Sequence, residues 1–257
     1  MKLGFIGTGK IASAVVKGIC TSTLKDVDVN LSPRNEENSK KLAKAFANVK
    51  RLEKNQLVLD KSDIIFISVL PDHAREILNN LKFRDTHTVI SFVPLLRFSE
   101  LADAVKPTRR ISRAIPLPAV VNHNCPVPVF NADETVIKLF KYLGQPFVVD
   151  NENQLHTIWA LTGFIAPFLN MLQNLSDWAV SKGVKEEIAN KYIVDMFHSI
   201  SFSAQQIKHI DFDELVKDAA TPNGLNEQAL REIYEKGAHE TYKIIADNLL
   251  KRFMIDL

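Results

Sequence analysis

The sequence predicts an α/β protein with a doubly wound parallel sheet in residues 1–150 and an all-α domain in residues 151–257. Two observations support this prediction. Up to about residue 150, short β-rich runs alternate with helical patterns, which is typical of a parallel sheet covered by helices on both faces. From Asn151 onward the strand pattern ends and long helical segments follow. A chain of 257 residues, 46% of them hydrophobic, is long enough for two such domains.

The individual elements follow from hydrophobic periodicity. The predicted strands cover residues 2–6, 27–31, 64–69, 89–93, 126–130 and 146–149, and the predicted helices of the first domain cover residues 11–19, 36–46, 73–81, 98–105 and 133–143. Three long helices are predicted in the second domain, beginning near residues 155, 185 and 226. Residues 164–175 of the first long helix are apolar nearly all round. Such a helix must be covered on every side, either within its own domain or by a second subunit, and the second alternative predicts a homodimer or higher homo-oligomer.

Composition limits the classes of partner. Lys and Arg total 32 against 30 acidic residues, and the net charge of +2 gives no reason to expect a nucleic acid or an anionic membrane surface. Cys20 and Cys125 are too few for a disulfide framework or a zinc site, which favours a reducing compartment. The chain begins without a signal-peptide pattern, and we expect no segment that spans a bilayer. We therefore expect a cytoplasmic protein that acts on a small molecule.

A glycine-containing turn joins the first strand to the first helix. The turn is Gly7-Thr8-Gly9, and Ala12 follows as a third small residue. In a β-α-β unit the first glycine permits a tight turn, the second lets the backbone approach a pyrophosphate, and the third small residue lets helix and strand pack closely. The phosphates would bind N–H groups at the helix start. The pattern predicts a Rossmann-type dinucleotide-binding domain; the alternative is a turn that needs glycine for its geometry alone.

The end of the second strand indicates which dinucleotide would bind. An NAD enzyme usually has an acidic residue there, which accepts a hydrogen bond from the ribose 2′-hydroxyl. This strand instead runs into Ser32, Pro33, Arg34 and Asn35, with no acidic residue at its tip. Arg34 can make a bidentate contact to a 2′-phosphate, and Ser32 and Asn35 can supply neutral donors. We therefore predict NADP(H) as the cofactor; the alternative is that Arg34 is an ordinary solvated loop residue.

Several segments resemble one enzyme family. "GFIGTGKIASAVVKGI" from residue 4, "SPR" from residue 32 and "DIIFISVLP" from residue 63 resemble the cofactor half of the pyrroline-5-carboxylate reductases, which make proline with NADPH. "VISFVPLL" and "ISRAIPLP" follow in the expected order, and "ALTGFIAPF" and "DAATPNGLNEQAL" are similar to the two substrate-domain motifs. The resemblance implies that Lys10 and Ile11 lean over the cofactor. It also implies that Val69, Leu70 and Pro71 lie near the nicotinamide-side ribose.

Three motifs differ from the family pattern. The family typically has Ser-Gly-Ser-Gly-Pro where this chain has "TGFIA" from residue 162, and Ser-Pro-Gly-Gly-Thr-Thr where it has "TPNGLN" from residue 221. A Met-Pro-Asn segment is replaced by "IPL" from residue 115. In the family, hydroxyls and backbone amides of the second motif take the substrate carboxylate. Losing several buried polar contacts normally changes an enzyme's substrate, so the resemblance leaves the substrate open.

The same two segments supply the candidate substrate residues. "TPNG" from residue 221 predicts a turn, and Asn226 is predicted to cap the helix that follows. An anion could bind at this helix start with help from Thr221; the alternative is a capped helix that binds nothing. Thr162 and Gly163 are predicted to begin the apolar helix. The candidates are Thr162, Gly163, Thr221, Asn223, Gly224 and Asn226.

No catalytic residue can be assigned from the sequence. No histidine pair has metal-ligand spacing on one helix, and no serine or cysteine lies in a nucleophile turn. Dehydrogenases of hydroxy acids with a similar sheet-plus-helix plan carry a catalytic lysine in the first long helix, and the absence of lysine between Leu161 and Asp177 makes this chain unlike that class. We predict hydride transfer from NADPH to a C=N bond, because an iminium carbon needs positioning more than it needs a strong acid. The alternatives are an NADP(H)-binding sensor without chemistry and a reductase of another carbonyl or ferric acceptor.

Overall fold

The computed structural model describes residues 1–253 and divides into two compact units. The first unit is Met1–Trp159, and the second begins at Ala160. The division falls later than the predicted boundary after residue 150. It does so because Leu155, on the helix that follows residue 150, is fully buried against Ile115 and Val149 of the first unit. Residues 254–257, the end of the predicted second domain, lie outside the described residues.

The first unit contains an eight-stranded sheet. Its strands are β1 (Lys2–Ile6), β2 (Asp28–Leu31), β3 (Val49–Arg51), β4 (Ile64–Ile67), β5 (Thr88–Ser91), β6 (Arg110–Ala114), β7 (Cys125–Phe130) and β8 (Gly144–Val149). The spatial order is β3-β2-β1-β4-β5-β6-β7-β8. Neighbours from β3 to β6 are parallel, whereas β7 joins β6 in antiparallel orientation and pairs with β8 in parallel. The predicted α/β class with a Rossmann-type sheet is confirmed.

Helices cover both faces of this sheet. They are α1 (Lys10–Thr21), α2 (Glu36–Ala45), α3 (Asn55–Asp60), α4 (Pro71–Asn79), α5 (Phe98–Ala104) and α6 (Glu134–Lys141). Alternate residues of β4 divide between two cores: Phe66 packs with α1, α2 and α6, while Ile65 and Ile67 pack with α3, α4 and α5. Successive side chains of a strand point to opposite faces of the sheet. Because both faces are apolar here, the parallel sheet is buried on both sides.

In the described residues of the second unit all secondary-structure elements are helices, as predicted. The helix α7 (Glu152–Leu161) begins in the first unit and runs through a 3₁₀ turn (Thr162–Phe164) into α8 (Ile165–Ser181). The remaining helices are α9 (Glu186–Gln205), α10 (Phe212–Ala219), α11 (Leu225–Glu235) and α12 (Ala238–Lys251). The single helix predicted from residue 226 is two helices, because Gly237 adopts a left-handed conformation with φ 70° between them.

The apolar helix α8 is only partly covered by the other described residues. Its buried residues are Leu172 and Ser176, whereas Phe168 and Trp178 are 45% and 62% exposed. The alternative that this helix is buried within its own domain is therefore wrong. By length and composition alone, residues 152–181 could also cross a membrane, which corrects the expectation that no segment could. Core helices of soluble proteins satisfy the same two criteria.

Candidate functional site

The predicted cofactor residues lie at the carboxyl edge of the sheet. Gly7 follows β1, Ser32 follows β2, and Val69 lies just after β4. Since these strands are parallel neighbours, their ends meet at one edge, where ligands of doubly wound sheets bind. The backbone N–H of Gly7 donates a hydrogen bond of 2.9 Å to Ser32 Oγ, so the structure brings the first two segments into direct contact.

The two glycines of the turn have different surroundings. Gly7 has φ +94°, and a Cβ added there would lie 2.3 Å from the carbonyl oxygen of Ser68. A Cβ added to Gly9 would meet no atom within 4 Å, and Gly9 begins α1 without a side-chain cap. Gly7 is therefore required by the fold, whereas Gly9 leaves open space beside an uncapped helix start. Space of this kind fits a phosphate group.

Side chains from α2 and β2 support the turn. The side-chain amide of Asn38 donates to the Thr8 carbonyl oxygen at 3.0 Å. Ser32, predicted as a donor to a 2′-phosphate, is 1% exposed and accepts from Gly7 N–H. Its observed contact is with the turn, and its contact with a phosphate stays a prediction. Asn38 was missed by the sequence reasoning, because its contact with Thr8 depends on how α2 packs.

The 2′-phosphate candidates lie where β2 passes into α2. Asn35 has φ 59°, and its side-chain oxygen caps α2 by accepting from Asn38 N–H at 3.4 Å. Arg34 is exposed beside it. The structure thus leaves the Arg34 guanidinium at the tip of the loop, where a phosphate could reach it, while Asn35 is used in capping.

A second guanidinium, that of Arg51, lies behind the same loop. Arg51 ends β3, and its Nη2 donates to the Pro33 carbonyl oxygen at 3.3 Å. It lies 3.8 Å from the Glu36 carboxylate. The pKa of Glu36 is lowered, first by its hydrogen bond to Lys40, then by the charges of Lys40 and Arg51. Arg51 adds positive charge to the place where a 2′-phosphate is expected.

Buried polar atoms without a partner concentrate at the carboxyl edge. Within residues 1–253 four such side-chain atoms occur, namely Thr8 Oγ1, Arg51 Nε, Asn55 Oδ1 and Arg113 Nε. Thr8 follows β1, Arg51 and Asn55 lie at or just after the end of β3, and Arg113 lies near the end of β6. An unpaired buried polar atom costs free energy. The edge is therefore suited to a ligand rich in hydrogen-bonding groups, as a dinucleotide is.

The segment after β4 presents an apolar surface. Leu70 is the N-cap residue of α4, and Pro71 takes the first helical position, where proline needs no backbone hydrogen bond. Val69 packs against the buried cluster that covers one face of the sheet, whereas Leu70 is 67% exposed. The three residues therefore offer apolar contact at the carboxyl edge, and their role toward a cofactor stays a prediction.

A buried arginine ties the carboxyl end of the sheet to α7. Arg113 is fully buried, and its Nη1 donates to the Glu152 carboxylate. Its Nη2 donates to the carbonyl oxygens of Val93 and Pro94 at 2.9 and 2.8 Å. Glu152 also accepts from Phe98 N–H at 2.8 Å. The pair thereby holds together the segment that follows β5, the start of α5 and the start of α7.

His156 completes this cluster as a neutral residue. Arg113 Nη1 donates to His156 Nε2 at 3.0 Å, which requires the proton of the imidazole on Nδ1. The pKa of His156 is lowered by burial and by the positive charge of Arg113, while Glu152 opposes the shift. We assign this histidine a structural role in the cluster, since its Nε2 is occupied by Arg113.

The substrate candidates of the second unit lie on different helices. Thr162 and Gly163 do not begin a helix as predicted, but form a 3₁₀ turn inside the helical run of residues 152–181. A Cβ on Gly163 would lie 2.6 Å from Leu249 Cδ1, so this glycine permits the close approach of α12. Thr221, Asn223 and Gly224 precede α11 as a turn, closed by Gly224 N–H donating to the Thr221 carbonyl oxygen at 2.9 Å.

The predicted cap of α11 is wrong. Gly224 takes the N-cap position, and Asn226 lies one residue inside the helix. The side-chain amide of Asn226 donates to the Ala219 carbonyl oxygen at 3.1 Å. Because this amide binds the end of α10, Asn226 does not cap the helix it was predicted to start. Across residues 1–253, no group of three or more His, Cys, Asp or Glu residues could hold a metal ion.

Comparison with known proteins gives two family matches. Residues 2–94 match the model described as NADP oxidoreductase, coenzyme F420-dependent, and residues 152–253 match the model for pyrroline-5-carboxylate reductase dimerisation. Together these segments cover most of the chain. The two matches together support the pyrroline-5-carboxylate reductase family. In pyrroline-5-carboxylate reductases the second match is the dimerisation segment, and here it begins at Glu152, the first residue of α7.

Individual relatives agree with this family. The pyrroline-5-carboxylate reductase of Staphylococcus haemolyticus is 25% identical over 248 residues, with 91% of each chain covered. The crystal structure of the Streptococcus pyogenes enzyme has 19% identity and a TM-score of 0.84, with 98% of each chain covered. The Plasmodium falciparum pyrroline carboxylate reductase, solved with NADP bound, has 18% identity and a TM-score of 0.84, covering 98% of this chain and 97% of that one. At these identities the two structures show the pyrroline-5-carboxylate reductase fold.

Proposed function

We propose that the chain is an NADPH-dependent reductase of the pyrroline-5-carboxylate reductase type, which reduces a C=N bond and could serve proline formation. The observation that carries this proposal is the carboxyl edge of the sheet. There an open, uncapped helix start at Gly9 lies beside a loop with two guanidinium groups. The family match of residues 2–94 to an NADP oxidoreductase model supports the same cofactor.

Each part of the cofactor site has a proposed role. The backbone between Gly7 and Ile11 holds the pyrophosphate, with Thr8 and Lys10 in the same turn. Arg34, backed by Arg51, binds the 2′-phosphate. Val69, Leu70 and Pro71 contact the nicotinamide-side ribose. NADPH, when bound, supplies the hydride. The chain positions the reactants and excludes water, and no general acid is assigned.

We also propose that the protein works as a homodimer or a higher homo-oligomer in the cytoplasm. The second unit exposes large apolar side chains on its helices, among them Phe168, Trp178, Tyr192 and Phe212. Between α8 and α12 lies an open apolar groove of about 510 Å³, lined in part by Leu161, Phe164 and Tyr242. Apolar area of this extent is a feature of an interaction surface. The dimerisation match of residues 152–253 supports a second copy of this chain as the partner.

The proposed activity is tested by NADPH oxidation. The purified full chain is supplied with NADPH and, separately, with pyrroline-5-carboxylate, other cyclic imines, keto acids and ferric complexes. Turnover with imines alone supports the proposal, and turnover with carbonyl or ferric acceptors alone assigns the chain to a different reductase. Tight NADPH binding without turnover on any acceptor favours the alternative function, an NADP(H)-binding sensor without chemistry. The altered substrate motifs are the observation that favours this alternative.

A further inference from the structure

One ion pair fixes both ends of the loop between β5 and α5. At the start of this β5–α5 loop, Arg113 Nη2 donates to the carbonyl oxygens of Val93 and Pro94 at 2.9 and 2.8 Å. At its end, the Glu152 carboxylate accepts a hydrogen bond of 2.8 Å from the backbone N–H of Phe98, the first residue of α5. Arg113 Nη1 donates to the same oxygen of Glu152, so neither end of the loop can move without breaking a bond to the pair.

The pair is better suited to fixing this loop than to stabilising the fold. Arg113 is fully buried, and its Nε is among the buried side-chain atoms of residues 1–253 that have no hydrogen-bond partner. Removing a charge from water costs free energy that the attraction of its partner often does not offset, so a buried ion pair adds little stability over packed apolar side chains. A planar guanidinium that binds two carbonyl oxygens and a carboxylate does, however, fix their relative positions.

The loop presents one large apolar side chain at the carboxyl edge of the sheet. Leu96 is 3% exposed and packs into the core on one face of the sheet, whereas Leu95 is 49% exposed. The loop follows β5, and β5 is the parallel neighbour of β4, whose end is followed by the exposed Leu70. Leu95 and Leu70 therefore follow neighbouring strand ends, on the same edge as the glycine turn.

The strand order indicates which half of a dinucleotide would meet this loop. In the neighbour order β2-β1-β4-β5, the ends of β1 and β2 carry the proposed pyrophosphate and 2′-phosphate positions. In doubly wound sheets a dinucleotide lies across the carboxyl ends of the strands, at the point where the strand order reverses. Its 2′-phosphate half would therefore lie toward β2, and its nicotinamide half would lie toward β4 and β5.

We propose that Arg113 and Glu152 are positioning residues for the coenzyme, which hold the β5–α5 loop where Leu95 contacts the nicotinamide. This inference rests on the proposed function, since it takes the coenzyme site at the carboxyl edge as given. Hydride transfer depends on the orientation of the donor carbon, and a misplacement of about 1 Å can cost roughly two orders of magnitude in rate. All the chain's groups involved, from Val93 to Glu152, lie in the first unit.

The test compares NADPH with 2′-phospho-ADP-ribose, which has the same adenosine, 2′-phosphate and pyrophosphate groups but no nicotinamide. Isothermal calorimetry on the full chain measures the affinity for each ligand. Leu95→Ala should weaken NADPH binding about three- to tenfold, because one apolar contact is lost, and should leave the affinity for 2′-phospho-ADP-ribose unchanged. Val148→Ala, at an exposed position of the outermost strand β8, is the control and should change neither affinity.

The pair itself is tested with the double variant Arg113→Met and Glu152→Ala, which releases the loop without leaving an unpaired buried charge. It should weaken NADPH binding about as much as Leu95→Ala does. Unchanged binding of 2′-phospho-ADP-ribose also shows that the double variant is folded. Because the pair acts through Leu95, adding Leu95→Ala to the double variant should cause little further loss. A merely structural role of the pair predicts losses that add, or losses that affect both ligands equally.

The outcomes separate this inference from the proposed function. Additive losses, or equal losses for the two ligands, overturn the positioning role while NADPH binding stands. Equal affinity of the unmodified chain for NADPH and 2′-phospho-ADP-ribose overturns it as well, because the nicotinamide then makes no favourable contact. If the variants show the expected pattern but no imine is reduced, the reductase function fails and the inference holds. If neither ligand binds, both fail.

Discussion

Single residues around the β2–α2 loop are predicted to determine the coenzyme preference. Arg34 is exposed at the tip of the loop, and Arg51 reaches the Pro33 carbonyl oxygen from β3. The acidic side chain of Glu36, 3.8 Å from Arg51, pairs with Lys40 at 2.7 Å. A positive loop of this kind favours a coenzyme that carries a 2′-phosphate over one that carries a free 2′-hydroxyl.

Replacing Arg34 tests this preference directly. We expect Arg34→Ala to weaken NADPH binding more than NADH binding by about 1.5 to 3 kcal/mol, the contribution of a hydrogen bond to a charged group. Isothermal calorimetry with both coenzymes measures the difference. Lys41→Ala, which removes a cation paired with Glu37 on the exposed side of α2, is the control and should leave the difference unchanged. An equal loss for both coenzymes would show that Arg34 does not touch the phosphate.

Two buried histidines are predicted to make the stability depend on pH. The pKa of His87 and that of His156 are both lowered, primarily by burial. Each accepts a hydrogen bond on one ring nitrogen, His87 from Arg84 N–H and His156 from Arg113. Between the lowered folded pKa and the unfolded pKa of about 6.5, the unfolded chain binds more protons, so acid favours unfolding.

We therefore expect the free energy of unfolding to fall as the pH is lowered from about 7.5 to about 5.5. Urea unfolding at the two pH values measures this fall. His156→Gln, which cannot be protonated, should reduce it, whereas His209→Gln at an exposed position should not. Stability that stays constant or rises toward acid would contradict the assignment of neutral His87 and His156.

The role of a residue could be predicted from the sequence where it depends on the residues next to it in the chain. It could not be predicted where it depends on tertiary packing. The glycine turn is readable because Gly7 and Gly9 act through their own backbone. Arg51 was missed because its place beside the loop depends on the register in which it lies opposite Leu31. Arg113 was missed because a charge within a strand indicates an exposed position, whereas here Glu152 and two carbonyl groups compensate its burial.

At the scale of elements, strongly periodic segments were predicted and short or charged ones were not. All six predicted strands exist, with ends shifted by a few residues. β3 was missed because it is three residues long, and β6 because its pattern contains Arg110 and Arg113. The short helix α3, which follows β3 in the chain, was missed as well. Each of these elements is defined by its neighbours in the fold more than by its own sequence.

The contact of β6 with α7 is predicted to be the strongest polar interaction between elements of the first unit. Glu152→Ala leaves the fully buried Arg113 cation without its carboxylate, and we expect it to lower the free energy of unfolding by about 3 kcal/mol. Urea unfolding measures this loss. The double variant with Arg113→Met should lose less than Glu152→Ala alone, because the unpaired charge is gone.

An exposed ion pair provides the control for this prediction. Glu134 and Lys138 pair on the surface of α6, and Glu134→Ala should change the free energy of unfolding by less than about 1 kcal/mol. If Glu152→Ala costs no more than this control, the pair between β6 and α7 does not hold the two elements together.

At the scale of the whole molecule, the two-domain plan could be predicted, whereas the surface of the second domain could not. The change from alternating strands and helices to helices alone is visible in the sequence. Periodicity could not show whether the apolar helix α8 is covered within the chain, since that depends on which helices lie beside it. The structure leaves Leu169 and Trp178 of this helix 58% and 62% exposed, which is why a partner surface is predicted to cover them.

We expect the full chain to sediment as a dimer or a larger homo-oligomer at micromolar concentration. Leu169→Glu combined with Trp178→Glu places charges on the exposed apolar surface of α8 and should shift the mass toward a single chain. Lys191→Glu, at an exposed polar position of α9, is the control and should sediment like the unmodified chain. Sedimentation of the unmodified protein as one chain would contradict the proposed assembly.

The hydrogen bond from Gly7 to Ser32 restricts how the turn can serve a ligand. The Gly7 N–H already donates its hydrogen bond to Ser32 Oγ. We therefore expect a diphosphate to accept hydrogen bonds from backbone N–H groups further along, from Gly9 into the first turn of α1. Ser32, which follows β2, is thus predicted to limit how deep the diphosphate can sit, although it need not touch it. Any substitution of Ser32 would alter the coenzyme's depth in the crevice together with its affinity.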